Sequence, residues 1–290
     1  DMKFAIGTSQ RMSKYGFLNT HLKKLEFKKI IKNNNKKIDL IDTASVYGTA
    51  EKEIGKFCNS STKIVTKISK IKSKSIENVL KEINRKIRQS CKNLKSKNLY
   101  ALLFHDEKDI LFFKNTYFKK NFEQIKKKFF IKKIGYSTYN IYNIPEYQKI
   151  YKFDIVQFPL NIFSIDQKKI KFLKKIKLKY KIELHARSIF LQGLALQDPM
   201  KLTNNFKHLK NKIKLLREFC NHNKIDLYDF LISCIDNLKT INYAVIGISS
   251  IAEYKKLNQY KFISKSVYKT SLKKFYIKNQ ILLDPRLWKH

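Results

Sequence analysis

The sequence predicts an α/β fold, a (β/α)8 TIM barrel formed by residues 1–290 as one domain. Three observations carry the prediction. Eight short apolar runs alternate with longer, lysine-rich amphipathic runs, and over 290 residues that alternation packs as a parallel sheet covered by helices. The chain has only seven glycines, yet Gly7, Gly48, Gly135, Gly193 and Gly247 all fall at or just after the ends of apolar runs. Glycine there supplies a positive φ or lets backbones approach closely. Polar residues also collect at the ends of successive runs, the end at which a barrel builds its sites.

The strands follow in order. They are expected at Lys3–Gly7, Ile38–Asp42, Lys63–Lys67, Leu99–His105, Lys132–Tyr136, Ile155–Gln157, Ile182–His185 and Tyr243–Ile246. Helices are expected between them at Lys23–Asn33, Ser75–Leu94, Phe118–Lys128, Tyr142–Ile150, Gln167–Tyr180, Lys207–His222 and Leu227–Leu238, with a further helix-like run after Gly48. The Ser75–Leu94 pattern is the clearest. Ser75 stands three residues before Asn78 as a cap, and Ile76, Val79, Leu80, Ile83 and Ile87 recur on one face. Asn33-Asn34-Asn35 reads as a helix end. The stretches Asp106–Tyr117, Leu196–Phe206 and Phe262–His290 read as loops able to wall a pocket. Residues 261–290 are expected to be a C-terminal tail or pocket-covering segment, with Phe275, Tyr276 and Trp288 either closing the pocket or packing under the barrel. A doubly wound sheet binding a dinucleotide would carry a G-x-G-x-x-G turn after a strand, and none of the glycines forms one.

Composition limits the function classes. The net charge of +39 invites a nucleic-acid reading, but the basic residues are almost all lysine. The arginines are only Arg11, Arg85, Arg88, Arg187, Arg217 and Arg286, whereas bidentate contacts favour Arg, and the lysines are spread along the whole chain as a compositional bias would spread them. Salt-sensitive sticking to polyanions is expected, and a specific nucleic-acid partner is not. No run approaches the ~20 apolar residues of a membrane helix, and Asp1–Gly7 lacks the pattern of a signal peptide, so a cytoplasmic location is expected. Cys58, Cys91, Cys220 and Cys234 form no C-x-x-C pair and point to free thiols, with no metal site expected.

The chemistry gathers around Ile41-Asp42-Thr43-Ala44-Ser45-Val46-Tyr47-Gly48, with Glu51 and Gly55 beyond it. Asp42 and Tyr47 follow the second strand, Lys67 ends the third and His105 ends the fourth. In a barrel these four side chains share one mouth. A carboxylate steadies a lysine ammonium, and the ammonium makes a phenol with an ordinary pKa near 10 a better acid.

Here the chain resembles the aldo-keto reductases. Gly7-Thr8-Ser9-Gln10, with Tyr15-Gly16 and Asn19, looks like the opening of one bacterial branch. Asp42–Gly55 is close to the family's D-T-A-x-x-Y-G-x-x-E-x-x-x-G signature. Ile134-Gly135-Tyr136-Ser137 resembles its I-G-V-S, Gln157 with Asn161 its Q…N pair, and Arg187–Leu194 the R-S-x-F-L-Q-G of the same branch. Val245–Ser250 looks like the phosphate loop after the eighth strand. The resemblance runs from about residue 2 to about residue 260.

It implies NAD(P)H-dependent reduction of an aldehyde or ketone, with NADPH expected and NADH open. The family association extends to sugar-derived carbonyls. Tyr47 would be the general acid, Lys67 would favour its phenolate, Asp42 would hold Lys67, and His105 would orient the carbonyl. The cofactor contacts that the resemblance carries over are Gly7, Thr8, Ser137, Gln157, Arg187, Ser188, Leu194, Gly247, Ser249 and Ser250. A non-catalytic cofactor sensor or auxiliary subunit of the same fold is the alternative. Three positions depart from the pattern. Thr138 stands for an Asn, and Arg187 replaces an aromatic that stacks on the nicotinamide. Glu253-Tyr254-Lys255-Lys256-Leu257-Asn258 differs from the usual Q-x-x-x-E-N.

Overall fold

The computed structural model describes residues 2–11, 22–32, 38–58, 61–96, 98–202, 206–264, 266 and 272–288. Eight parallel strands close on themselves in chain order, each paired with its sequence neighbours and the eighth with the first. They are β1 Lys3–Gly7, β2 Ile38–Asp42, β3 Lys63–Ile68, β4 Leu99–Phe104, β5 Ile131–Ser137, β6 Ile155–Pro159, β7 Glu183–Arg187 and β8 Tyr243–Gly247. The expected (β/α)8 barrel is therefore the observed fold.

The ring of helices comprises α1 Lys24–Lys32, α2 Ala50–Phe57, α3 Ile76–Leu94, α4 Thr116–Lys128, α5 Ile144–Ile150, α6 Gln167–Tyr180, α7 Lys207–His222, α8 Leu227–Asp236 and α9 Ile251–Asn258, with a short α10 at Leu272–Phe275. The cap on α3 forms as read: the Asn78 N–H donates to Ser75 Oγ at 3.4 Å. The Asn33-Asn34-Asn35 helix end lies outside the described residues. Two readings shift. Asp106–Tyr117 is an ordered 3-10 segment at Glu107–Lys114 that buries Ile110 and Phe113, followed by the first turn of α4. Asn115 ends that segment and caps α4, accepting from the Phe118 N–H at 2.8 Å. Helix α9 has no counterpart in the sequence reading, because its eight residues bury only Tyr254 and Leu257 and give too short a periodicity.

The period of two along each strand organises the barrel's interior. Ala5, Leu40, Val65, Ala101, Leu103, Ile155 and Val245 fill its middle. Two residues on from Leu40, Val65, Leu103 and Ile155 stand Asp42, Lys67, His105 and Gln157. Those four side chains therefore lie on the inward face at the C-terminal mouth. Two glycines are fixed by close approach. A Cβ at Gly135 would lie 2.2 Å from the Ile155 carbonyl oxygen, and one at Gly55 would lie 2.2 Å from that of Asn93, where α2 packs on α3. Glu51, one turn before Gly55, is also structural. It is buried and accepts from Thr66 Oγ1 at 2.7 Å and Asn93 Nδ2 at 3.0 Å.

The tail returns to the barrel. Leu272, Phe275, Ile277 and Leu283 are buried in a second apolar cluster with residues of α7 and α8, and Trp288 packs edge-on to Phe206 at 5.2 Å. No described helix is long and apolar enough to cross a membrane.

Candidate active site

The site begins with a buried ion pair. Lys67 Nζ donates to Asp42 Oδ1 at 2.6 Å and to the Thr43 carbonyl at 2.9 Å, with Lys67 1% and Asp42 3% exposed. Gln157, from across the barrel, donates its Nε2 to the other Asp42 oxygen at 2.7 Å. Asp42 is thus held from two sides. Its main chain is fixed as well, since Thr8 donates both its N–H, at 3.0 Å, and its Oγ1, at 3.1 Å, to the Asp42 carbonyl.

Tyr47 sits over this pair. The turn that carries it is tied down by the Ser45 N–H to the Lys67 carbonyl at 3.0 Å and the Tyr47 N–H to the Ala44 carbonyl at 3.0 Å, and Gly48 follows with φ 56°. Lys67 Nζ lies 5.4 Å from the centre of the Tyr47 ring. The His105 ring stands edge-on to the same ring at 6.1 Å. The four residues expected to act together are in fact brought together.

Electrostatics set their protonation. Burial pushes the Lys67 ammonium below the ordinary lysine value, the Asp42 carboxylate pulls it back up, and the positive charge of Arg187 lowers it further. His105 is lowered to about 4 by burial and then by the charges of Lys67 and Arg187. At neutral pH it is therefore a neutral imidazole with one N–H to donate.

A pH dependence follows. The folded-state value of His105, about 4, lies below the ordinary 6.5, so the unfolded chain takes up the proton first as pH falls. Stability should drop between about pH 6.5 and about pH 4, by about 2 kcal/mol from this residue after allowing for its partial solvent contact. Urea titrations across that range should show this slope in the wild type and a shallower one in His105→Gln.

The mouth opens into a cavity of about 500 Å3. Asp42, Tyr47 and Gln157 line its inner end, and Tyr228 and Lys256 lie on its wall beyond them. Of the expected cofactor contacts, Gly7, Thr8, Gln157, Arg187, Ser188, Gly247 and Ser249 line it. Ser137 ends β5 and is buried, and Leu194 is buried in the second apolar cluster. Ser250 caps α9, accepting from the Glu253 N–H at 3.2 Å. These three are not among the residues that line the cavity.

The loop from Arg187 to Leu194 has an unusual backbone. Ser188, Leu191, Gln192 and Gly193 all have positive φ, at 58°, 51°, 54° and 90°. Successive tight turns, from the Leu191 N–H to the Ser188 carbonyl and from the Gly193 N–H to the Phe190 carbonyl, both at 2.9 Å, hold it against the cavity.

Thr138 and Arg187, two of the departures, have definite partners. The Thr138 hydroxyl donates to the Glu107 carboxylate and accepts from the Asn140 N–H at 2.9 Å, so it is committed locally. Arg187 lies with its guanidinium 4.4 Å from the centre of the Tyr139 ring. Arg286, from the tail, lies 3.5 Å from the same ring centre and is paired with Asp284 at 2.5 Å. Sequence reasoning singled out neither Tyr139 nor Arg286, and nothing local distinguishes them among so many tyrosines and basic residues.

A dinucleotide fits what the residues offer. Gln157 is fully buried, its Nε2 is used by Asp42, and its Oε1 has no hydrogen-bond partner among the described residues. An amide N–H2 supplied by a ligand would satisfy that acceptor. Among the described residues there is no cluster of three or more His, Cys, Asp or Glu side chains able to hold a metal.

Comparison with known proteins gives the family and the fold. The model of the Aldo/keto reductase family matches residues 4–270. No curated protein sequence matches the chain closely enough to count as a relative. The fold is similar to that of an aldo-keto reductase from Bacillus halodurans in its holo form, with 17% identity, coverage of 96% of this chain and 94% of the other, and a TM-score of 0.70. It is also similar to the glycerol dehydrogenase of Gluconobacter oxydans, with 15% identity, coverage of 94% and 90%, and a TM-score of 0.69.

Proposed function

The chain belongs to the aldo/keto reductase family and is an NAD(P)H-dependent oxidoreductase, and from that premise we propose that it reduces an aldehyde or ketone to the alcohol with Tyr47 as the general acid. The observation that carries the reading is the buried Lys67–Asp42 pair at 2.6 Å with its ammonium facing the Tyr47 ring. The bound cofactor supplies the hydride. Tyr47 gives its proton to the carbonyl oxygen as negative charge develops there. The Lys67 charge, fixed by Asp42, stabilises the phenolate that remains. His105, neutral over the physiological range, donates its N–H to the same oxygen and orients the carbonyl.

Gln157 would hold the nicotinamide carboxamide through its open Oε1. Gly7, Thr8, Arg187, Ser188, Gly247 and Ser249 would line the rest of the dinucleotide, with Ser137, Leu194 and Ser250 holding those segments in place. A sugar-derived or polyol substrate is supported by family association and by the glycerol dehydrogenase among the structural relatives. The four cysteines as thiols rather than disulfides fit a reducing, cytoplasmic setting.

The test is direct. Purified protein is expected to consume NADH or NADPH with at least one member of a broad panel of aldehydes, ketones and open-chain sugars. Tight dinucleotide binding without turnover on any carbonyl would instead make the chain a cofactor sensor or auxiliary subunit.

A further inference from the structure

The outer end of the cavity runs against the bias of the whole chain. The sequence has 62 Lys and Arg against 23 Asp and Glu, yet the loop after β8 is closed by carboxylates. Glu253 accepts from the Ser249 N–H and from Ser249 Oγ, both at 2.7 Å. Glu26, from α1, accepts from the Ile251 N–H at 3.4 Å. The Ser249 N–H and hydroxyl and the first N–H of α9, that of Ile251, are donors of the kind that bind phosphate, and the protein's own acids already occupy them.

Two of the cations that line the cavity here are also engaged. Lys256 lines the cavity but pairs with Asp226 at 3.1 Å and lies over the Tyr228 ring at 5.0 Å. Arg217 donates its Nε to the Gln197 carbonyl at 3.0 Å and a second N–H to that of Leu196. Glu253 and Asp226 themselves line the cavity.

Ser250-x-x-Glu253 has the spacing of a helix capping box, in which the acid would return to the Ser250 N–H. Glu253 instead reaches one residue further back and takes both donors of Ser249. That contact puts a carboxylate where a phosphate on this loop would be bound.

We propose that Glu253 selects NADH over NADPH, by excluding the 2′-phosphate from Ser249 and accepting the ribose 2′-hydroxyl instead. This departs from the NADPH expected from the sequence. The inference rests on the reading of the cavity as the dinucleotide site. A 2′-phosphate would have to displace Glu253 and then sit beside Glu253 and Glu26. A ribose diol needs only an acceptor, the role an acidic residue plays toward the unphosphorylated cofactor in doubly wound dinucleotide-binding folds.

The full chain is titrated with NADH and with NADPH at physiological ionic strength, where the general attraction of so basic a protein for anions is screened. Binding is read by calorimetry or dinucleotide fluorescence, without turnover. NADH is expected to bind at least about tenfold more tightly, a difference of about 1.4 kcal/mol. In Glu253→Gln the ratio should fall below about threefold, with NADPH gaining and NADH losing affinity. Equal or tighter NADPH binding by the wild type overturns the inference and leaves the oxidoreductase reading intact. So does a ratio that Glu253→Gln leaves unchanged. If neither dinucleotide binds, the inference and the reading of the cavity as the dinucleotide site both fail.

Discussion

Tyr47→Phe is expected to lower kcat/KM for carbonyl reduction by a factor of about 10²–10⁴ while changing the dinucleotide Kd by less than about threefold. The substitution removes one hydroxyl and keeps the ring. The edge contact with His105 at 6.1 Å and the Lys67 charge 5.4 Å from the ring centre both remain available to a phenyl group. The turn from Asp42 to Gly48 is held by main-chain hydrogen bonds that do not involve the hydroxyl. What is lost is the proton donor.

Steady-state rates on a reactive aldehyde, with calorimetry for the cofactor, read the two effects separately. Retention of more than about half of the activity would move the proton to another group. Of those near the mouth, His105 is neutral and keeps one N–H, so a second substitution, His105→Gln, would then carry the loss instead. If Tyr47→Phe and the wild type were alike in binding and equally inert on every carbonyl, the sensor reading would stand.

Much of this site was legible because a strand has a period of two. Asp42, Lys67, His105 and Gln157 each lie two residues beyond an apolar core residue, so their inward direction follows once the strands are placed. Gly55 and Glu51 also stood out in the sequence, though their reasons did not. One avoids a clash with the Asn93 carbonyl and the other ties α2 to β3 and α3.

What stayed hidden depends on long-range contact. Arg286 reaches Tyr139 across 147 positions of sequence, and no local pattern announces it. The direction of Glu253 lies between these cases. The Ser250-x-x-Glu253 spacing was present to be read as a helix start, but its reach to Ser249 is a matter of side-chain geometry. The same holds for Thr138, whose departure from the family pattern is visible in sequence but whose partner, Glu107, lies in a segment that reads there as a loop.

The second large effect concerns the pair beneath Tyr47. Asp42→Asn keeps the shape and removes the charge opposite a lysine that is 1% exposed. Breaking one partner of a buried ion pair costs about 3–5 kcal/mol, because the remaining charge is stranded in low dielectric. Lys67 is already lowered by burial, and loss of the Asp42 carboxylate lowers it further. Below its ordinary value of 10.5 the unfolded chain is then the better proton acceptor, so the deficit grows as pH falls from there toward the folded value and shrinks toward alkaline pH.

Adding Lys67→Met to Asp42→Asn removes the stranded ammonium, and stability should return to within about 1–2 kcal/mol of the wild type. Activity should not return with it, since nothing then stabilises the Tyr47 phenolate. Denaturant unfolding of the two single variants and the double variant, with rates measured on each, separates the two roles of the pair. Strict additivity of the stability losses would mean that Lys67 and Asp42 are not coupled, and the account of how Tyr47 is activated would fail with it.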